Sequence, residues 1–272
     1  MRRNGLIKSV TILGLIVCLF FILWGGSFVA AQEESALQRI KRTGVVRFGW
    51  APFLTWTAID EKTNKLVGMG PDIAEEMAKA LGNVKIEWVA DSWATIIAGI
   101  QASKFDIAIP LGVSLERAMV VAYTKPLMLE ANTFLINKKD AAKFKTHDDI
   151  NQPGVKVSVS LGSTTDIYLT RLFKKPEITR YRSTPESLLA LVHGKVDAWA
   201  NTGTQLAAAL KSNQDLRVVK GSFFLGKICM GIKQGDQIFL NWLNCFIDDT
   251  KETGTLERIY QKYGQKGETF FD

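Results

Sequence analysis

The chain has 272 residues, 47% of them hydrophobic, and a formal net charge of +7 from 34 Lys and Arg against 27 Asp and Glu. That length gives one large domain or two small ones, with ample chain for a buried core. The basic excess is mild and spread out, which excludes the dense basic stripe of a nucleic-acid binder; the nearest run, Lys138, Lys139, Lys143 and Lys145, reads as a solvated surface.

Residues 1–31 have the layout of a secretory signal peptide. Arg2, Arg3 and Lys8 precede an apolar run from Val10 to Leu23, and Gly25, Gly26 and Ser27 lead to the small-residue exit Val29-Ala30-Ala31. The run is shorter than the roughly 20 residues that span a bilayer, and no stop-transfer charges follow, which favours cleavage after Ala31 over an uncleaved anchor. Cys18 sits inside the run behind Val17 and does not read as a lipoprotein site. Cleavage removes three basic residues and no acid, leaving 241 residues with a net charge near +4. The expected destination is the periplasm or the extracellular space, where a disulfide is allowed. Cys229 and Cys245, on an expected strand and the helix after it, are compatible with either a bridge or two separately buried thiols. No His or further Cys stands at ligand spacing, so no metal site is expected.

From residue 45 on, short apolar strands alternate with amphipathic helices. Residues 45–48 read as a strand. Gly70-Pro71-Asp72 opens a helix, with proline in the first turn where its missing N–H costs nothing; Ile73, Met77, Ala80 and Leu81 recur at helical spacing until Gly82 ends it. Residues 84–89 alternate as a strand, 96–102 form a short helix and 105–109 another strand. In the second half, 155–159, 178–181, 196–200 and 228–232 read as strands. Gly162-Ser163-Thr164-Thr165 leads into a helix through Leu172, and Thr184-Pro185-Glu186 caps a helix that Gly194 stops. Two helices, roughly 238–251 and 256–262, close the chain.

This alternation predicts an α/β chain with helices on both faces of its sheets. Residues 133–137 are strand-like and precede a lysine-rich linker, and 220–227 are loosened by Gly221 and Gly226; each is a candidate crossing between lobes. Two crossings predict a discontinuous first lobe, residues 32–133 and 228–272, and a second lobe of residues 134–227. A ligand is expected between them, at the carboxyl ends of strands.

Six motifs then stand together: Gly49-Trp50-Ala51-Pro52-Phe53; Gly68-Met69-Gly70-Pro71-Asp72-Ile73; Trp93 through Ile109, ending Lys104-Phe105-Asp106-Ile107-Ala108; Ser114-Leu115-Glu116-Arg117-Ala118 with Tyr123-Thr124-Lys125-Pro126; Gly162-Ser163-Thr164-Thr165; and Gly194-Lys195-Val196-Asp197-Ala198. In order and spacing they resemble the extracellular solute-binding proteins of ABC importers, in the branch that includes binders of polar amino acids. The resemblance covers nearly all of residues 37–264. It implies the two-lobed periplasmic binding protein fold (type II), two α/β lobes joined by two hinge crossings and closing on a small solute. It also implies a monomer that delivers its solute to a membrane permease, with no cofactor and no chemical step.

The resemblance places Arg117 where the family grips a ligand carboxylate. A planar guanidinium offers paired donors to both oxygens, a contact of about 1.5–3 kcal/mol; without the likeness, Arg117 would read as a surface residue paired with Glu116 or another acid. Ser163, Thr164 and Thr165 stand where a strand turns into a helix, so free N–H groups and the positive dipole end favour an anion there. Ordinary N-capping fits the same residue types. Trp50, Phe53 and Trp56 lie at the mouth of the first lobe; the likeness makes Trp50 the platform for the ligand's side chain, whereas Phe53 reads as core. Met69 stands where a second wall is often aromatic.

The chain also departs from that pattern. Amino-acid binders usually carry an aspartate, five residues after the Asp of Gly-x-x-Asp-Ala, to hold the ligand ammonium. Here the position is Thr202, beside Asn201, and both offer neutral hydrogen bonds only. Five residues before the arginine, where a hydroxyl is usual, stands Gly112; seven before, where a backbone N–H is lent, stands Pro110, which has none. A buried ammonium without a carboxylate is costly. Either another acid supplies the countercharge, with Glu130 the candidate, or the ligand lacks an α-ammonium, as an organic acid does. An enzyme is the alternative: cyclic-acid dehydratases resemble the family and act on small carboxylates in the same cleft, with Glu130 and Lys125 the acid–base candidates. Two isolated histidines, His147 and His193, support no Ser-His-Asp or Cys-His arrangement, so a binder is expected.

Overall fold

The structure is a computed structural model that describes residues 33–269; the expected signal peptide lies outside the described residues. Ser35 opens the first described helix, Ala36–Thr43, with a capping box: its Oγ accepts from the Leu37 N–H, and its own N–H donates to the Gln38 side chain at 3.2 Å. Gly44 ends the helix at φ 69°. The strands that follow are β1 (Val45–Trp50), β2 (Ala58–Ile59), β3 (Leu66–Val67), β4 (Lys85–Ala90), β5 (Ile107–Gly112), β6 (Val121–Tyr123), β7 (Met128–Asn137), β8 (Lys156–Ser160), β9 (Glu177–Tyr181), β10 (Ala198–Thr202), β11 (Leu216–Val218), β12 (Phe224–Lys233) and β13 (Glu268–Thr269).

One continuous sheet runs β4-β1-β5-β12-β7-β10-β8-β9, with β6 on β12 and β11 and β13 on β7; β2 and β3 form a separate hairpin. Parallel β4, β1 and β5 belong to the first lobe, and parallel β10, β8 and β9 to the second. Side chains alternate across each strand, so a sheet with both faces buried is apolar throughout. The second lobe follows this rule: Phe134, Ile136, Ala198 and Ala200 enter one core, while Leu135 and Trp199, between them in sequence, enter another on the opposite face. The first lobe packs one large core that includes Phe48, Trp56, Ile73 and Ile107, and it takes in Phe239 and Leu243 from the closing helix Gln237–Glu252. These cores give the two-lobed α/β fold that the residue pattern predicts.

Residues 133–137, expected to be strand-like, lie in β7, and the end of the segment 220–227, expected to be loosened by glycine, lies in β12. These two ten-residue strands pair antiparallel from Met128↔Ile228 to Asn132↔Phe224. Pairing satisfies backbone groups that a bare linker would leave to solvent, so the lobes share a ribbon. Asp106 holds a structural place, receiving Arg39 Nη2 at 2.5 Å and Arg47 Nη2 at 2.7 Å. Cys229 and Cys245 are both free; Cys229 is buried, its thiol pushed up to about 12 by burial, and Cys245 is exposed, so neither expected arrangement is realised. Among the described residues, no helix is long and apolar enough to cross a membrane, and no group of His, Cys, Asp or Glu could hold a metal ion.

Candidate functional site

A cavity of about 40 Å³ lies between the lobes. Phe53, Trp93, Pro110 and Gly112 line it from the first lobe and Ile228 from the crossing; Ser160, Ser163, Thr164, Thr165, Thr184, Asn201 and Thr202 line it from the second. Gly112, Ser160 and Thr202 are the last residues of β5, β8 and β10, so the cavity stands at the carboxyl ends of strands. Two helices start on its second-lobe side, Thr164–Leu172 and Gly203–Ser212. Their first N–H groups and positive dipole ends favour an anion. The second of these helices was not among the predicted elements, although Asn201-Thr202 before Gly203 is a start signal.

The hydroxyls divide their work. Ser163 Oγ caps its helix by accepting from the Asp166 N–H at 3.1 Å. Thr165 Oγ1 donates to Asn132 Oδ1 at 2.8 Å. The Asp166 carboxylate receives the Gly162 N–H at 3.0 Å and Arg180 Nε at 2.9 Å, which fixes the loop. Thr164 Oγ1 instead receives Arg117 Nη1 from the other lobe, at 3.0 Å. On β10, Asn201 Oδ1 accepts the Thr202 N–H at 2.8 Å.

Arg117 lies on the short helix Leu115–Ala118, just past β5, and is 5% exposed. Its Nη1 also donates to the Gly112 carbonyl at 2.9 Å, and its Nη2 to the Gly162 carbonyl at 2.7 Å. It therefore spans both lobes and borders the cavity through Gly112 and Thr164. It is not the surface residue of the alternative reading: Glu116 pairs with Arg171 on the opposite lobe instead. Burial lowers the Arg117 pKa by disfavouring its charge, and the guanidinium donates to neutral oxygens of Gly112, Gly162 and Thr164. A buried cation in that state gains from an anion. A second link between lobes is the Gln205 amide, which accepts the Leu54 N–H at 3.2 Å and donates to the Leu54 carbonyl at 2.6 Å.

The aromatic wall is not the one expected. Trp50 is buried and is not among the lining residues, whereas Phe53 lines the cavity and packs edge-on against Trp93, centroids 5.5 Å apart. The loop after β1 turns back at Phe53, whose N–H bonds the Thr57 carbonyl at 2.9 Å, and this carries residue 53 into the cleft. Met69 is fully buried in the first core.

Glu130 also stands off the wall. It is fully buried on β7, and its Oε1 accepts from Trp56 Nε1 at 3.1 Å and from Thr204 Oγ1 at 2.9 Å, while Oε2 has no hydrogen-bond partner. Lys125 is half exposed and paired with Asp248. Burial raises the Glu130 pKa above its ordinary 4.5. The stability tied to this group is therefore fully present below that ordinary value and is lost as pH rises through the folded one. Glu130→Gln keeps the amide oxygen as an acceptor and removes the titration. It is expected to melt higher than wild type near about pH 8, with the gap closing toward about pH 4.5; scanning calorimetry across pH checks this, and a gap independent of pH would contradict it.

The description "Bacterial extracellular solute-binding proteins, family 3" matches residues 46–266. The L-cystine-binding protein TcyJ of Escherichia coli (strain K12) is 24% identical over 241 residues, 88% of this chain and 90% of that one. The cyclohexadienyl dehydratase of Pseudomonas aeruginosa is 28% identical over 170 residues, 61% of this chain and 62% of the enzyme. Among solved structures, the ancestral amino acid-binding protein AncCDT-1, described as a precursor of cyclohexadienyl dehydratase, superposes with a TM-score of 0.78 at 30% identity, over 85% of this chain and 99% of its own. With the match spanning both lobes and the cleft between them, the chain belongs to the bacterial extracellular solute-binding proteins, family 3.

Proposed function

We propose that this chain is the solute-binding component of an ABC importer. Exported through its N-terminal segment to the periplasm or extracellular space, it captures a small carboxylate-bearing solute, an amino acid or related compound, and delivers it to a membrane permease. The observation that carries this reading is that the Arg117 guanidinium, itself behind the cavity wall, bonds the wall residues Gly112 and Thr164, and that two helices start on the opposite side, at Thr164 and Gly203. The relatives add to it, since one binds L-cystine and another is an amino acid-binding protein.

Hydrogen bonds from Arg117 to Thr164 and Gly162 and between Gln205 and Leu54 hold the lobes together across the cleft, so loading calls for the lobes to part. We place the division at 133/134 and 227/228, within or beside the paired strands β7 and β12, which act as the hinge. Closure follows because only the closed state collects contacts from both lobes. Gly112, Arg117, Ser163, Thr164, Thr165, Asn201 and Thr202 form the site, with Phe53 and Trp93 taking the part expected of Trp50. A thermal-shift screen of amino acids, organic acids and their amides tests the proposal. Carboxylates are expected to raise the melting temperature and amides are not; a response confined to uncharged or cationic compounds would overturn it.

The kinship with a dehydratase favours a second reading, an enzyme on small carboxylates. Both of its acid–base candidates, Glu130 and Lys125, stand off the cavity wall, so binding without turnover is the better reading. Product released from an incubated hit would reverse that order.

A further inference from the structure

Resting on the carboxylate-binder reading, we infer that Gln205 of the second lobe is a positioning residue for Phe53 of the first, so that the aromatic part of the cavity wall is fixed only when the lobes meet. Gln205 is not itself among the lining residues. It stands in the first turn of the helix Gly203–Ser212 and is fully buried. Its Oε1 accepts the Leu54 N–H at 3.2 Å, and its Nε2 donates to the Leu54 carbonyl at 2.6 Å. A side-chain amide carries an acceptor and donors together. It can therefore take both backbone groups of one residue, as a neighbouring strand does in a hydrogen-bonded pair.

Leu54 follows Phe53 in the turn 53–57. The Phe53 N–H donates to the Thr57 carbonyl at 2.9 Å, and the Thr57 N–H returns to the Phe53 carbonyl at 2.8 Å. The far side of the turn is tied to the first lobe: the Met69 N–H donates to the Thr55 carbonyl at 2.8 Å, and the Gly70 N–H to the Trp56 carbonyl at 2.9 Å. Leu54 is tied to the second lobe instead. Thr55, next to it, sits at φ 67°. That left-handed conformation is costly for a β-branched residue and persists only where surrounding contacts hold it. The residue before Gln205 braces the same turn. Thr204 Oγ1 and Trp56 Nε1 both donate to Glu130 Oε1, at 2.9 and 3.1 Å. Thr204 and Gln205 thus reach the turn twice from one helix start, at Leu54 directly and at Trp56 through Glu130. Phe53 is the member of the turn that lines the cavity, edge-on to Trp93. Parting the lobes breaks the Gln205 bonds and releases the end of the turn that carries Phe53; closing restores them. The aromatic wall is then set by closure rather than standing preformed in one lobe.

The test is a double-mutant cycle read by titration calorimetry, with the best-binding compound among the twenty standard amino acids, cystine and their 2-hydroxy acids. Gln205→Leu keeps the bulk and removes both hydrogen bonds, so binding should weaken about 5- to 150-fold. Phe53→Ala should weaken it too. The double variant should then fall short of the product of the two single losses by about threefold or more, because one residue acts through the other. Losses that multiply in full would overturn the inference and leave Gln205 as a bond between lobes with no hold on Phe53. Unchanged binding in Gln205→Leu would overturn it as well. Wild-type protein supplies a measurement that needs no variant to fold. On adding the same compound, hydrogen exchange read by NMR should slow about tenfold or more at the Leu54 amide, whose partner is on the other lobe, and little at the Thr57 amide, whose partner is within the turn. An equal response at both amides contradicts the inference. If no compound binds, the carboxylate-binder reading falls and this one with it; binding with independent losses sinks this one alone.

Discussion

Arg117→Ala is expected to lower affinity for a carboxylate solute by about 10- to 150-fold, the equivalent of one charge-assisted contact of about 1.5–3 kcal/mol. The guanidinium is the one positively charged side chain in the hydrogen-bonded set that joins Gly112, Gly162 and Thr164 across the cleft. Its removal takes away the forked donor and also leaves the Gly112 and Gly162 carbonyls without it. Arg117→Lys keeps the charge but offers a single point in place of the planar fork, so an intermediate loss is expected. Titration calorimetry with the best carboxylate from the screen reads both effects. An unchanged dissociation constant in Arg117→Ala would remove this residue from the site.

Gly112→Val should give a comparable loss by a different route. A Cβ at this position would stand 2.2 Å from Thr164 Oγ1 and 2.8 Å from Thr164 Cβ, closer than atoms pack. The two residues belong to opposite lobes, so the clash can be relieved by holding the lobes apart rather than by unfolding either core. Overpacking of this kind costs about 1–3 kcal/mol, or roughly 5- to 150-fold in binding. The melting temperature without ligand should stay near that of wild type, while solution scattering with ligand should keep the radius of gyration of the open form. Wild-type affinity together with normal compaction would show that Gly112 and Thr164 do not meet when the cleft closes. This also gives a physical meaning to glycine at position 112: it admits the Thr164 side chain.

Much of this architecture was legible from the residues. Strand alternation around Ile86 and Trp88, the helical spacing of Ile73 and Met77, and the strand-to-helix turn at Ser163 depend on local rules, and all reappear close to where they were expected. The crossings were legible only in part. Residues 133–137 carry the apolar signal, but β7 starts at Met128 because β12 pairs with it there, and a pairing partner nearly a hundred residues away leaves no local trace. The site shows the same limit. Which of Trp50 and Phe53 faces the cavity depends on a loop reversal held by Thr57, and both are aromatic in sequence. Glu130 was visible as an acid shortly before residues 133–137; its full burial, with donors from Trp56 and Thr204, follows from three segments meeting in space.

The central claim is that a guanidinium from one lobe and a helix start from the other take hold of the same acid group. A crystal structure with the best-binding carboxylate tests it most directly. The account predicts that the ligand's carboxylate will lie between Arg117 and the backbone N–H groups at Thr164 and Thr165, inside a closed cleft. A carboxylate directed away from both, or a ligand held by one lobe with the cleft still open, would contradict it.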